Sequence, residues 1–194
     1  MAELTIARSE LILGGQRSGK SRRAEMLART WFHASPAHHA VLIATAQPWD
    51  DEMRQRIARH QEDRAARVPG MTTVEEPLAL ADAIAQHSQP HTLVVVDCLT
   101  LWLTNCLMPA ECASNRPLAP ADAAQTAPLL IAISQAPGPV VLVGNEIGMG
   151  VIPLGAQVRA FVDALGRLNQ DVAATCRRVT LMAAGLPLTL KDTP

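Results

Sequence analysis

Tyrosine is absent from this chain and phenylalanine occurs only twice, so even with three tryptophans the aromatic share is 3%. Platforms for stacking bases are therefore scarce, which argues against a single-strand nucleic-acid binder. An excess of one charge is missing too. Lys and Arg number 17 against 18 Asp and Glu, a formal net charge of −1 without the basic field of a nucleic-acid partner. The cysteines, Cys98, Cys106, Cys112 and Cys176, form no C-x-x-C pair, which removes zinc-ribbon and thioredoxin-type readings. Cys98 falls in an apolar run and reads as a buried thiol. No apolar stretch approaches the ~20 residues that span a bilayer, and no N-terminal stretch resembles a signal peptide. The expectation is a single soluble, reduced, cytoplasmic domain over 1–194, with a 48% hydrophobic content rich enough in aliphatics for a full core.

What is present begins with Gly14-Gly15-Gln16-Arg17-Ser18-Gly19-Lys20-Ser21, a complete G-x-x-x-x-G-K-S phosphate-binding loop. Its glycines let successive backbone N–H groups turn toward phosphate oxygens. Lys20 can reach the β/γ-phosphates, and the Ser21 hydroxyl can ligate Mg²⁺. A real loop of this kind needs a strand before it and a helix after it. Glu10 to Leu13 supplies the apolar run, and Ser21 to Ala28 is rich in helix formers.

Farther along, strand-like runs alternate with helical segments. His39 to Thr45, Thr72 to Glu75, Thr92 to Leu99, Val140 to Val143 and Val179 to Met182 read as strands. The run from His39 to Thr45 is continuous rather than alternating, as a strand covered on both faces should be. Helices are expected from Asp50 or Asp51 to about Arg67 and from Leu78 to His87. Leu186 to Leu190, with Pro187, reads as an antiparallel edge strand. This rhythm predicts an α/β fold, a mainly parallel sheet with helices on both faces. Pro109 to Pro120 reads as a mobile surface loop.

Three further constellations carry chemistry. Val94-Val95-Val96-Asp97 ends an apolar strand in a carboxylate, placed to orient Mg²⁺ opposite Ser21. Glu52, Arg56, His60 and Arg64 recur every four residues, so they share one slowly drifting helical face. A histidine between two arginines suits anionic phosphates and favours a neutral, nucleophilic imidazole, although spacing alone equally describes a solvated face with a Glu52–Arg56 pair. Gly144 to Pro153 holds three glycines and the Asn145-Glu146 pair just after a strand, where α/β sheets bind ligands. His33, His38, His39, His87 and His91 lack metal-ligand spacing, and Trp31, Trp49 and Trp102 read as packing residues. Arg167 and Asn169 could face a neighbouring subunit or a nucleotide.

Taken together, GGQRSGKS, IATAQPWDDEM with R-I-x-R-H, TVEE, VVVDCLTLWLTN, VGNEIGMGVIP and LGRLNQ resemble the bifunctional adenosylcobinamide kinase / adenosylcobinamide-phosphate guanylyltransferase family, from about Leu11 to Lys191. The resemblance implies a RecA-like P-loop NTPase fold of three layers. It also implies two reactions: phosphorylation of adenosylcobinamide by GTP or ATP, and transfer of GMP from GTP to adenosylcobinamide phosphate through a guanylyl-histidine. The nucleophile maps onto His60, with Lys20 and Ser21 as catalytic partners. Nucleotide contacts map onto Gly14 to Ser21, onto Ala44, Thr45 and Ala46, onto Gln61, Glu62, Asp63 and Arg64, and onto Glu75 and Asp97, with Mg²⁺ on Ser21 and Asp97. A homo-oligomer is implied as well. Gln16, Arg59 and Asp97 depart from residues common at their positions without removing a role. A kinase-only phosphotransferase and a nucleotide-switched binding protein are the competing readings.

Overall fold

A computed structural model describes residues 4–108, 123–151 and 153–193. The expected alternation takes the form β1 (Ser9–Gly14), α1 (Lys20–Ala34), β2 (His39–Ala44), α2 (Asp51–Arg67), β3 (Thr72–Glu75), α3 (Leu80–His87), β4 (Thr92–Asp97), α4 (Leu99–Leu107), α5 (Ala123–Gln135), β5 (Val140–Val143), α6 (Ala156–Thr175), β6 (Arg178–Ala183) and β7 (Leu186–Asp192). The described strands form one seven-stranded sheet in the order β3-β2-β4-β5-β1-β6-β7. Every neighbouring pair is parallel except β6 and β7, so the sequence reading of the last strand as an antiparallel edge holds.

Alternation along each strand sends side chains to opposite faces and builds two core layers. Leu11, Leu13, Val94, Val96 and Leu142 pack on one face against Ile84, Trp102, Leu129, Ile133, Leu165 and Leu168, from α3 to α6. Ile12, Leu42, Val95 and Val141 pack on the other face against Ala24, Leu27 and Ala28 of α1. Each fully buried Leu or Ile removes enough apolar surface to contribute about 1.5–3 kcal/mol.

Three local features differ from the sequence reading. The strand expected to reach Leu99 stops at Asp97, and Cys98 is the extended cap residue of α4, joined to Asp97 by a cis peptide bond. Cys98 is nevertheless buried as expected, and desolvation pushes its thiol up to about 11. The helix expected from Leu78 begins at Leu80, because the Glu76 carboxylate accepts the Leu78 and Ala79 N–H groups ahead of it. Finally, α4 and α5 do not announce themselves in the sequence. Both are apolar over most of their length, so the polar–apolar period that marks a surface helix is weak. The expected loop from Pro109 to Pro120 lies outside the described residues.

Candidate functional site

At the carboxyl end of β1 the chain turns at Gly14 with φ 152°, where a Cβ would stand 2.5 Å from the Met182 carbonyl oxygen and 2.6 Å from Ser18 Oγ. No other residue fits there. Gly19, at φ 101°, then opens α1 without a side-chain cap, and no acid occupies the first turn. Orphan amides and the positive end of the helix dipole are thereby left for an anion. The Ser18 hydroxyl is buried with no partner. Its carbonyl accepts the Gly185 N–H at 3.0 Å. Gly185 and Ala184 form the β6–β7 turn, both left-handed at φ 80° and 51°, the pattern of a tight hairpin. The edge hairpin therefore braces the phosphate loop, a contact that no motif in the sequence reveals.

Lys20 is 8% exposed, and its ammonium donates to the Gly15 carbonyl at 2.7 Å. Burial holds its pKa below the ordinary lysine value. Cys98 and Asp97 oppose that shift, whereas the Arg56 charge adds to it. Asp97 and Arg56 thus both lie within electrostatic reach of the loop lysine. Register explains Asp97, since Ala44 pairs with Asp97 and with Glu75 across β2, β4 and β3. One edge of the sheet collects these strand ends beside the loop. Thr45 is fully buried there. Its hydroxyl donates to the Cys98 carbonyl at 2.7 Å and accepts the Cys98 N–H at 2.8 Å, clasping the ends of β2 and β4. Asn105 of α4 donates to the carbonyls of Thr45 (2.8 Å) and Pro77 (3.1 Å), holding the two neighbouring loops. Asn105 was missed from sequence, although a lone buried Asn in an apolar helix is a signal.

Helix α2 carries the histidine. Asp50 caps it, accepting the Met53 N–H at 2.7 Å, and none of its residues is buried. Its far end is tied down by Arg67, which bonds Glu25 of α1 at 2.8 Å and Asp63 at 3.1 Å. The Glu25 hydrogen bond and charge raise the Arg67 pKa above the usual arginine value. His60, Gln61 and Glu62 face solvent, and His60 makes no hydrogen bond to the phosphate loop. Arg64 reaches Thr73 Oγ1 at 3.3 Å, and Arg54 pairs with Asp51 rather than Glu52 with Arg56. Glu75 is exposed at the end of edge strand β3, and Ala44 and Ala46 are half-buried.

The segment after β5 completes the edge. The Glu146 N–H bonds the Gly14 carbonyl (3.1 Å), and the Asn145 N–H bonds Thr100 Oγ1 (2.9 Å) at the start of α4. Asn169 of α6 is buried and donates to the Asn145 carbonyl at 3.1 Å. The sequence singled out this segment as a ligand loop without giving its residues a role. Trp102 is buried as expected, with Nε1 on the Leu78 carbonyl, and Trp31 stacks on His38, but Trp49 is exposed. Among the described residues no group of three His, Cys, Asp or Glu side chains is arranged to hold a metal, and no helix is long and apolar enough to cross a membrane.

The chain matches the family model "Cobinamide kinase / cobinamide phosphate guanyltransferase" over residues 10–190. It is 46% identical over 185 residues to the bifunctional adenosylcobalamin biosynthesis protein CobP of Pseudomonas aeruginosa, covering 95% of this chain and 98% of that one. Identity to the bifunctional adenosylcobalamin biosynthesis protein CobU of Escherichia coli is 35% over 188 residues, covering 93% of this chain and 98% of that one. Among solved structures, the flagellar accessory protein FlaH of Methanocaldococcus jannaschii superposes with a TM-score of 0.51 at 10% identity, over 97% of this chain and 80% of that one. That last likeness concerns the fold alone.

Proposed function

Because the chain belongs to the cobinamide kinase / cobinamide phosphate guanyltransferase family, we propose that one α/β P-loop domain carries both reactions on a single phosphate site, with His60 as the guanylylated residue. The protein is a bifunctional enzyme of adenosylcobalamin biosynthesis: it phosphorylates cobinamide and transfers a guanylyl group to cobinamide phosphate. The observation that supports the shared site is strand order, which sets Asp97 at the carboxyl end of β4 with only β5 between it and β1 with its phosphate loop, while α2 with His60 starts from the same end of the sheet after β2.

In this reading Gly14 to Ser21 cradle the β/γ-phosphates. Lys20 draws charge from the γ-phosphate in the kinase step and from the departing pyrophosphate in the transferase step. The His60 imidazole attacks the GTP α-phosphorus, the α–β bridging bond breaks and pyrophosphate leaves. The hydroxyl of Ser21 and the carboxylate of Asp97 are hard oxygen donors of the kind that suits Mg²⁺; they would hold the ion, which would supply positive charge to offset that of the phosphates. Ala44 to Ala46 and Glu75 border the same edge, and together with Gln61 to Arg64, farther along α2, they are the proposed nucleotide contacts, GTP for transfer and GTP or ATP for the kinase. Thr45 itself is fully buried, with its hydroxyl committed to Cys98, its N–H to the Asp97 carbonyl and its carbonyl to Asn105, so its part is to hold Ala44 and Ala46 in place. The proposal also has the enzyme working as a cytoplasmic homo-oligomer without a nucleic-acid partner. The exposed Val151, Leu154 and Val158, around the start of α6, support self-association.

Incubation with Mg²⁺ and α-³²P-GTP, followed by a denaturing gel, tests the reading. Label stable to base, lost in acid and absent from His60→Ala is the expected result. An unlabelled wild type that still phosphorylates adenosylcobinamide would leave a kinase only.

A further inference from the structure

We propose that Glu146 is the group that takes the proton of the acceptor hydroxyl in the kinase reaction, with Asn169 as the residue that positions it; the inference rests on the family reading above.

Strand order places Glu146 where such a group is needed. Because β5 lies between β1 and β4, the residues just past its carboxyl end emerge between the phosphate loop and Asp97. Each neighbouring strand is one spacing of about 4.8 Å away. The segment is stitched to both sides. Gly144 N–H bonds the Ile12 carbonyl at 3.0 Å, and Glu146 N–H bonds the Gly14 carbonyl at 3.1 Å, at the first residue of the loop. On the other side, Asn145 N–H bonds Thr100, three residues past Asp97, at 2.9 Å. Glu146 is thus the acid whose backbone is fastened directly to the phosphate loop.

Its side chain is oriented rather than neutralised. Oε1 accepts the Gly148 N–H at 3.1 Å and Oε2 faces Asn169 Nδ2 at 3.5 Å, and Glu146 takes part in no ion pair among the described residues. Asp97, by contrast, ends β4, on the far side of this segment from the phosphate loop. Glu146 is half-exposed, so its carboxylate is within reach of solvent. Asn169 shows that this orientation is built in. It is 4% exposed, both partners of its Nδ2 are oxygen acceptors, and its Oδ1 is buried with no partner. Turning the amide over would set oxygen against oxygen, so only one orientation serves. A buried amide left half-satisfied calls for an explanation, and aiming an acid at the site supplies one.

The step balances as follows. The acceptor hydroxyl oxygen bonds to the γ-phosphorus while the bond from that phosphorus to the β–γ bridging oxygen breaks. The nucleoside diphosphate leaves with that electron pair, and the alcohol proton passes to the Glu146 carboxylate, which releases it to solvent through its exposed side.

The test is steady-state phosphorylation of adenosylcobinamide by the intact protein, as wild type, Glu146→Gln, Glu146→Asp and Asn169→Ala. Glu146→Gln keeps size and hydrogen-bonding capacity but takes up no proton, so kcat should fall about 100-fold. KM for adenosylcobinamide and the affinity for a fluorescent GTP analogue should stay within about threefold, Glu146→Asp should recover part of the rate, and Asn169→Ala should lower kcat about tenfold without raising KM. A Glu146→Gln protein whose kcat is within about threefold of an active wild type overturns the inference alone. So does a variant whose whole defect is in KM or nucleotide affinity, since that marks a loop-holding residue. A wild type that does not phosphorylate adenosylcobinamide overturns the family reading and the inference with it.

Discussion

Burial pushes the Lys20 ammonium below its ordinary pKa, so at neutral pH the loop carries a charge that its surroundings disfavour. For a base with a depressed native pKa, the native state is relatively best off above the unfolded value near 10.5, and that advantage is lost as pH falls through the lower native value. At pH 7 Lys20 therefore works against stability and serves binding. Lys20→Met should leave the melting temperature at pH 7 unchanged or higher, while GTP affinity falls at least tenfold and both reactions are lost. A melting temperature lower by more than about 5 °C, roughly 1.5–2 kcal/mol for a chain of this size, would mean that the Lys20–Gly15 bond outweighs the buried charge.

Among the described helices, α2 is the one whose stability is least secured by packing. An isolated helix of this length is marginal in water, and α2 buries none of its 17 residues. Its cap at Asp50 and the Arg67–Glu25 pair hold the two ends. Glu25 is the buried partner, at 8% exposure against 45% for Arg67. Removing the arginine would strand a buried carboxylate, at a cost of about 1–3 kcal/mol. Arg67→Ala should therefore be destabilised by that amount in urea unfolding, and its rate of His60 guanylylation should fall more than its GTP affinity. Equal loss of rate and affinity would show that the tether acts on the phosphate loop rather than on the histidine's helix. The β6–β7 hairpin is the counterpart on the loop's other side, reaching Ser18 through Gly185.

At the scale of the molecule, the carboxyl edge of the sheet gathers the phosphate loop, Asp97, Glu75 and Glu146, while the chain as a whole is nearly neutral with a formal charge of −1. In the proposed site, attraction for nucleotide would thus be local, from the uncapped α1 terminus and the buried Lys20, and not from a field over the whole surface. A ligand that binds only the folded state at 100 times its Kd adds about 2.7 kcal/mol. GTP with Mg²⁺ at that level should raise the melting temperature by roughly 5–10 °C. Chelation of Mg²⁺ with EDTA should remove most of the shift. An equal shift with and without EDTA would argue that the Ser21–Asp97 pair does not hold the metal.

The sequence by itself determined the phosphate loop, the apolar strand that carries Asp97, the span and cap of α2 and the antiparallel last strand. In each case the cause is local: a glycine where only glycine fits, a cap residue, an apolar run of strand length. The tertiary structure decided the rest. Strand order inserts β5 between the loop strand and the Asp97 strand, and only that order turns Asn145 and Glu146 from a glycine-rich turn into neighbours of the phosphate site. The clasp of Thr45 on Cys98, Asn105 on two loop carbonyls and Gly185 on Ser18 each join residues far apart in sequence, so no spacing rule could reveal them. Helices α4 and α5 were illegible for the opposite reason: they are apolar on nearly every side, so which face each turns to the core shows only once its neighbours are in place.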